Sequence, residues 1–228
     1  MRSTNKISLM VEGNIGAGKS TFLKMLQSYL DICPVFEPNQ RWQNVGGENL
    51  LDKFYKDTNR WAYTFQSYAF VSRVMEYDLA AESTTKSVLI SERSVFSDRY
   101  CFAENSFEMG VMDHLEWQLY KEWFNWLVYR YVTLPTGFIY LKTDPVVCFD
   151  RMHIRSRSEE AAVSLNYLEL LYQKHEKWFI DKEGVGSQIK DIPVLVLQCN
   201  EDFEHNIDEQ MRHVQKIVEF YNIQSVLK

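Results

Sequence analysis

Residues Gly13, Asn14, Ile15, Gly16, Ala17, Gly18, Lys19 and Ser20, with Thr21 following, fit the spacing G-x-x-x-x-G-K-[ST]. Such a stretch holds phosphate. Glycines at 13, 16 and 18 let backbone N–H groups converge on phosphate oxygens that a side chain would keep at a distance. Lys19 supplies a mobile positive charge for the β- and γ-phosphates, and the Ser20 hydroxyl is a Mg²⁺ ligand. The spacing by itself leaves three fates for the phosphate: transfer, hydrolysis as a timer or motor, or simple retention.

Two carboxylates and a group of arginines narrow the choice. Glu37 in "VFEP" and Glu92 in "ISERS" stand where apolar runs end, and ligands of an open parallel sheet sit at the carboxyl ends of its strands. Arg41 and Trp42 follow the first, and Arg93 adjoins the second. One carboxylate can take a proton from an acceptor hydroxyl while the other helps hold Mg²⁺. The strands carry no aspartate of the Walker-B type, so the metal role falls to Glu92. In "DRMHIRSRSEE" (150–160), Arg151 and Arg155 share a helix face and Arg157 begins a loop. This reads as a lid, over about 151–162, whose planar guanidinium groups grip phosphate oxygens and balance charge during transfer.

These groups need a scaffold. "ISLMVE" (7–12) reads as a buried strand, and Phe22, Leu23, Leu26 and Leu30 recur at helical spacing, so a helix N-terminus faces the anion. Further strands are expected at 34–37, 87–92, 137–142 and 192–198, with helices over 60–82, 112–131, 163–180 and 206–221. The alternation predicts an α/β fold, a five-stranded parallel sheet flanked by helices, in one domain over 1–228. Helix 60–82 places Trp61, Phe65, Tyr68, Val71, Met75 and Leu79 near one face, and 112–131 is crowded with Leu115, Leu119, Trp123, Trp126 and Leu127. That excess of apolar surface is explained equally by extra core and by a homodimer built from helices.

Composition excludes several classes. The net charge is −6, which offers no electrostatic footprint for nucleic acid. No apolar run reaches membrane-spanning length, and "MRSTNK" leads directly into the first strand, so a cytoplasmic protein is expected. Four scattered cysteines read as reduced thiols, and five histidines form no metal-ligand pattern.

Taken in order, "GNIGAGKST", "FEPNQRW", "YKDTNRWAYTFQSY", "ISERSVFSDRY" and "RSRSEE" resemble the deoxynucleoside kinase family, from about Ile7 through "NEDF" (200–203). The resemblance implies a phosphate-loop kinase fold and transfer of a phosphoryl group from ATP or another nucleoside triphosphate, with Mg²⁺, to a deoxynucleoside 5′-hydroxyl. It implies Glu37 as general base, Glu92 as the Mg²⁺-linked glutamate and Arg93 beside the 5′-oxygen. Tyr55 and Glu160 match the pair holding the sugar 3′-hydroxyl, and Gln66 the residue reading the base edge. Trp42, Phe65 and Phe102 match the aromatic walls of the base site; Arg151, Arg155 and Arg157 match the lid. Asp202 and Phe203 match the loop beside the donor's base. The charged pair Arg73 and Asp98 matches relatives that accept deoxycytidine or deoxyguanosine, and a buried pair there would leave polar groups unmatched against thymine. Dimerisation is likewise implied. The chain departs from the pattern in the short segment between Trp42 and Tyr55, and in Ser156, which stands where a lid glycine is common.

Two other readings compete. A nucleoside monophosphate kinase shares the loop and lid, but a glutamate aimed at a bare hydroxyl suits an already phosphorylated acceptor poorly. A GTPase-like switch would need [NT]-K-x-D, which "LKTD" misses at Leu141, and "DKEG" (181–184) lies in a charged turn far from the loop.

Overall fold

The computed structural model describes residues 6–223. Five strands form one all-parallel sheet in the order β2-β3-β1-β4-β5: β1 (Ile7–Glu12), β2 (Cys33–Val35), β3 (Val88–Glu92), β4 (Gly137–Lys142) and β5 (Val194–Gln198). The sheet is the one expected. β1 lies at its centre, pairing Val11 with Glu92 on one side and with Ile139 on the other. That register brings the end of β1, which runs into the phosphate loop, level with the end of β3, which carries Glu92. β2 is shorter than the run 34–37 suggested: its proline donates no ladder hydrogen bond, and the strand stops at Val35, leaving Glu37 on the following loop.

α1 (Lys19–Tyr29) starts directly from the phosphate loop and buries Phe22, Leu23, Met25 and Leu26 against the sheet. After β2, the short helices α2 (Asn39–Gln43) and α3 (Leu50–Lys56) lead into the long α4 (Thr58–Ser83). Asn49 and Asp57 cap α3 and α4, each side chain accepting an N–H three residues on. β3 is followed by a single turn, α5 (Val95–Ser97), a π-helical turn (Asp98–Ala103) and α6 (Glu104–Glu108). α7 (His114–Tyr131) begins two residues later than the expected 112, where Asp113 and Glu116 form a capping box. α8 (Pro145–Arg155), a 3₁₀ turn (Ser158–Ala162), α9 (Leu165–Phe179), α10 (Ser187–Lys190) and α11 (Ile207–Tyr221) complete the chain.

The long helices differ from the periodicity reading. α4 turns Ala62, Phe65, Gln66, Ala69, Phe70 and Arg73 inward, whereas Val71, Met75 and Leu79 are exposed. The inward face carries glutamine and arginine because it walls a polar cavity, so apolar spacing alone misassigns it. α7 buries Trp117, Tyr120, Phe124 and Val128 and leaves Leu115, Leu119, Trp123 and Trp126 exposed. Phe70 and Phe124 join the two helices edge to face at 5.7 Å.

Among the described residues no helix is long and apolar enough to cross a membrane. All four cysteines are free thiols, Cys101, Cys148 and Cys199 buried and Cys33 partly so.

Candidate active site

The phosphate loop takes its shape from glycine. Gly16 has φ +79°, and a Cβ there would lie 2.1 Å from the Cys148 carbonyl oxygen of α8, so the loop packs against that helix only where a side chain is absent. Gly18, at φ +90°, caps α1 in the left-handed region and lies against the Phe203 ring. Lys19 folds back to donate to the Gly13 and Asn14 carbonyls at 3.2 and 2.5 Å. Burial, with a smaller contribution from Arg93, pulls its ammonium down to about 7. A phosphate brought to the loop supplies the missing counter-charge.

Beside the loop, Ser20 Oγ donates to Glu92 Oε1 at 2.7 Å. A hydroxyl and a carboxylate oxygen in contact are hard donors of the kind Mg²⁺ takes, and Mg²⁺ completes its shell with water and substrate phosphates. No cluster of three or more His, Cys, Asp and Glu side chains suited to a metal occurs among the described residues.

One cavity gathers the residues that the resemblance assigns to the acceptor. Glu37, Trp42, Tyr55, Phe65, Gln66, Arg73, Arg93, Asp98, Phe102 and Glu160 line it together with Lys19, Glu92, Arg155 and Arg157. At its floor Arg73 makes a forked contact with Asp98, Nε to Oδ2 at 2.8 Å and Nη2 to Oδ1 at 3.0 Å. Its Nη2 also donates to Glu37 Oε1 at 2.9 Å, and Nη1 to the Glu92 backbone carbonyl at 3.0 Å. Arg93 approaches Glu37 through Nε at 3.3 Å and donates to the Gly13 carbonyl at 2.8 Å. Burial alone would raise Glu37, but Arg73, Arg93 and Lys19 outweigh it and hold the carboxyl down at about 2. Burial pushes Asp98 up while Arg73 pulls it down; the forked geometry keeps the pair charged, and Arg73 is raised further by its two carboxylates.

The walls are aromatic. Phe65 stacks on Phe54 at 4.6 Å and meets Trp42 edge to face at 5.3 Å, while Trp42 Nε1 donates to Ser72 Oγ. Phe102 lies under the Arg93 guanidinium at 4.6 Å. Asp98 and Phe102 both reach the cavity from the π-helical turn. Tyr55 is a phenol that burial, Tyr167 and Glu160 hold neutral.

The lid is latched on Glu160. This buried carboxylate accepts from Arg155 Nη2 at 2.6 Å and from Arg157 Nη1 at 3.3 Å. Ser156 between them has φ +53°, the left-handed conformation that favours glycine, and its hydroxyl donates to the His153 carbonyl. Arg151 does not enter this cavity. It donates to the carbonyls of Cys199, Asn200 and Glu201 and lies over the Phe203 ring at 5.8 Å. With Arg155, Gly16, Gly18, Thr21, Asp202 and Phe203 it lines a second cavity of about 1060 Å³, including its open mouth, on the outer side of the phosphate loop. Phe203 is itself buried against Gly18 and Phe22, so it supports the loop as much as it borders that cavity.

Sequence reasoning passed over several residues. Tyr167, Leu51 and Phe54 complete the acceptor cavity. Glu12 is the more consequential omission: it ends β1 immediately before the loop and is fully buried. Neither of its carboxylate oxygens reaches hydrogen-bonding geometry with a described residue. Burial raises its pKa to about 7 against smaller lowering effects of Ser94, Arg93, Ser97 and Arg73. The signal was a lone carboxylate inside an apolar strand. Because this folded pKa lies above the unfolded 4.5, the stability the group permits is fully present below about pH 4.5 and is lost as pH rises through 7. Glu12→Gln is therefore expected to be more stable than the wild type at pH 8, by up to about 3 kcal/mol, with the difference closing below about pH 5. Urea unfolding at the two pH values measures it, and an unchanged or reversed difference would contradict the burial argument.

A deoxynucleoside kinase family model matches residues 9–221. A fowlpox virus (strain NVSL) protein named a probable deoxycytidine kinase is 42% identical over 220 residues, covering 96% of this chain and 89% of its own. Deoxycytidine kinase 2 of Gallus gallus is 38% identical, covering 93% and 89% of the two chains. The mitochondrial deoxyguanosine kinase of Xenopus laevis is 40% identical, covering 87% and 83%. With a phosphate loop, a carboxylate held between two arginines and an aromatic-walled cavity on one parallel sheet, the chain belongs to the deoxynucleoside kinase family.

Proposed function

We propose that this phosphotransferase moves the γ-phosphoryl group of ATP, or another nucleoside triphosphate, to the 5′-hydroxyl of deoxycytidine or a purine deoxynucleoside. The observation that carries the reading is Glu37, an ionised carboxylate at the junction of the phosphate loop and the aromatic cavity. The donor's phosphates lie on the loop, with Lys19 leaving its two carbonyls for them, and the deoxynucleoside enters the cavity base first. Trp42, Phe65 and Phe102 flank the base, and Gln66 faces its edge. Tyr55 and Glu160 take the 3′-hydroxyl, which favours deoxyribose in one orientation. Glu37 accepts the hydrogen bond of the 5′-hydroxyl and aims its oxygen at the γ-phosphorus. A carboxylate held this low is a weak base, which suits a loose transition state in which positioning outweighs early proton removal. Arg93 and the lid arginines neutralise charge on the moving group. Mg²⁺, held through Ser20 and Glu92, supplies charge neutralisation on the donor's phosphate oxygens when bound.

The assay is initial-rate phosphorylation of the four deoxynucleosides and their 5′-monophosphates with ATP and Mg²⁺. Turnover of deoxycytidine or a purine deoxynucleoside is expected, with little of thymidine; phosphorylation of a monophosphate alone would favour a monophosphate kinase. Glu37→Gln is expected to lower kcat by about 10²–10⁴-fold while nucleoside affinity changes little. A base is active above its pKa, and Glu37 is held at about 2, so kcat should show no acid limb from this group in the usual carboxylate range.

Arg73 and Asp98 set the base preference in this reading, since thymine brings a methyl group and a carbonyl where the pair presents fixed polarity. Replacing both, Arg73→Met with Asp98→Ala, should admit thymidine. Asp98→Ala alone leaves a buried cation short of a partner and should cost about 3–5 kcal/mol, more than the double change. No gain in thymidine turnover would place base selection elsewhere.

The exposed faces of α4 and α7 pair two copies of the chain. Leu79, Leu115 and Trp123 each expose more than half of their area on these adjoining helices, and Met75 and Trp126 nearly half. Sedimentation should give a dimer, and Trp123→Glu should shift it toward monomer; a monomeric wild type at micromolar concentration would refute the pairing.

A further inference from the structure

The loop after β5 carries a histidine that the phosphotransfer chemistry does not use. Asp202 organises this loop: its Oδ1 accepts the backbone N–H of Glu204 at 2.8 Å and of His205 at 3.4 Å. Its Oδ2 faces His205 Nδ1 at 2.9 Å. Both carboxylate oxygens are thus committed within the loop. An ionised carboxylate only accepts, so the proton of this contact resides on Nδ1, and Nε2 is the ring atom left for a ligand. His205 lines the same outer cavity as Gly18, Thr21, Arg151 and Arg155. A triphosphate seated on the phosphate loop, with its γ-phosphate toward Glu37, extends its nucleoside end into that cavity.

We propose that His205 is a specificity-determining residue for the phosphoryl donor, reading through Nε2 the group at C6 of a purine or C4 of a pyrimidine. The inference rests on the nucleoside triphosphate reading given above. With a neutral ring, Nε2 carries a lone pair and accepts from an exocyclic amine, as in adenine or cytosine. With a cationic ring, Nε2 carries a proton and donates to a carbonyl, as in hypoxanthine or uracil. One side chain therefore prefers two donor classes according to its proton.

The charges acting on the ring are Asp202 and Glu204 on its own loop, while Arg151 and Arg155 of α8 line the same cavity with their guanidinium groups held by the 199–201 carbonyls and by Glu160. The phosphate loop and α1 contribute Gly16, Gly18 and Thr21, which do not titrate, and Gln210 of α11 ties down the loop by donating to the Phe203 and Glu204 carbonyls. Histidine ordinarily changes charge near neutral pH, and the hydrogen bond and charge of Asp202 raise His205 from its ordinary value.

The test compares kcat/KM for two donor pairs, ATP against ITP and CTP against UTP, between about pH 5.5 and 8.5; each pair differs at the group read and at the adjacent ring nitrogen, which His205 does not titrate. Deoxynucleoside and excess Mg²⁺ are held fixed. Taking the ratio within each pair cancels ionisations shared by the donors, including the phosphates and Glu37. The amine-to-carbonyl ratio should rise with pH by about three- to tenfold in both pairs, through one midpoint above the ordinary histidine range. His205→Gln, whose amide both donates and accepts without titrating, should flatten it, and His205→Asn is the second such variant. A flat ratio in the wild type, or the same rise in both variants, would overturn the assignment while leaving the kinase reading intact. Failure of all four triphosphates as donors would remove both.

Discussion

Two guanidinium groups and two carboxylates, Arg73, Arg93, Glu37 and Asp98, lie together out of water at one end of the sheet. Taking such charges from solvent costs several kcal/mol per ion, and only close mutual contact offsets it. Much of the architecture follows from meeting that requirement. Arg73 must come from the middle of α4, which makes the inward face of a core-packed helix partly polar. Asp98 must come from a widened helical turn, and Glu37 from a loop that an edge strand releases early. Arg93 stands immediately after β3 with φ +62°, a conformation that ordinary side chains avoid, because its guanidinium has to turn back toward Glu37 and the Gly13 carbonyl. The strand order β2-β3-β1 sets side by side the strand ends that lead to Glu37, to Arg93 and to the phosphate loop.

Every lysine and arginine lining the cavity beside Glu37 is already engaged. Lys19 rests on loop carbonyls, Arg73 and Arg93 on Glu37, and Arg155 and Arg157 on Glu160. Substrates therefore enter by exchanging partners rather than by creating order from mobile side chains. Such exchange keeps the entropy cost of closure low and fixes geometry before reaction. The charge on Glu37 depends on the same contacts, so in the proposed reaction its part leans on orientation more than on basicity.

The phosphate loop was legible because its function is local: spacing and glycine placement determine it within eight residues. The parallel sheet was legible for a similar reason, since every strand but the short β2 is an apolar run ending in a polar residue. What escaped depends on neighbours remote in sequence. Glu12 reads as a polar interruption of a strand until Ser94, Arg93 and Arg73 enclose it. Helical spacing placed Phe65 and Met75 on one face, but α4 extends past the core it covers, so one is buried and the other open. The sequence put Arg151 and Arg155 on one helix face and all three arginines in one lid; the packing of α8 against the segment after β5 sends Arg151 outward, and the left-handed turn at Ser156 brings Arg155 and Arg157 onto Glu160.

Arg155 borders both cavities, the one beside Glu37 and the one on the outer side of the phosphate loop, while its guanidinium is held by Glu160. A ligand that draws this cation changes the electrostatic environment its counterpart meets. In the proposed reading, the two substrates are thereby linked through one side chain, and whatever factor the first applied to the affinity of the second would be returned in equal measure.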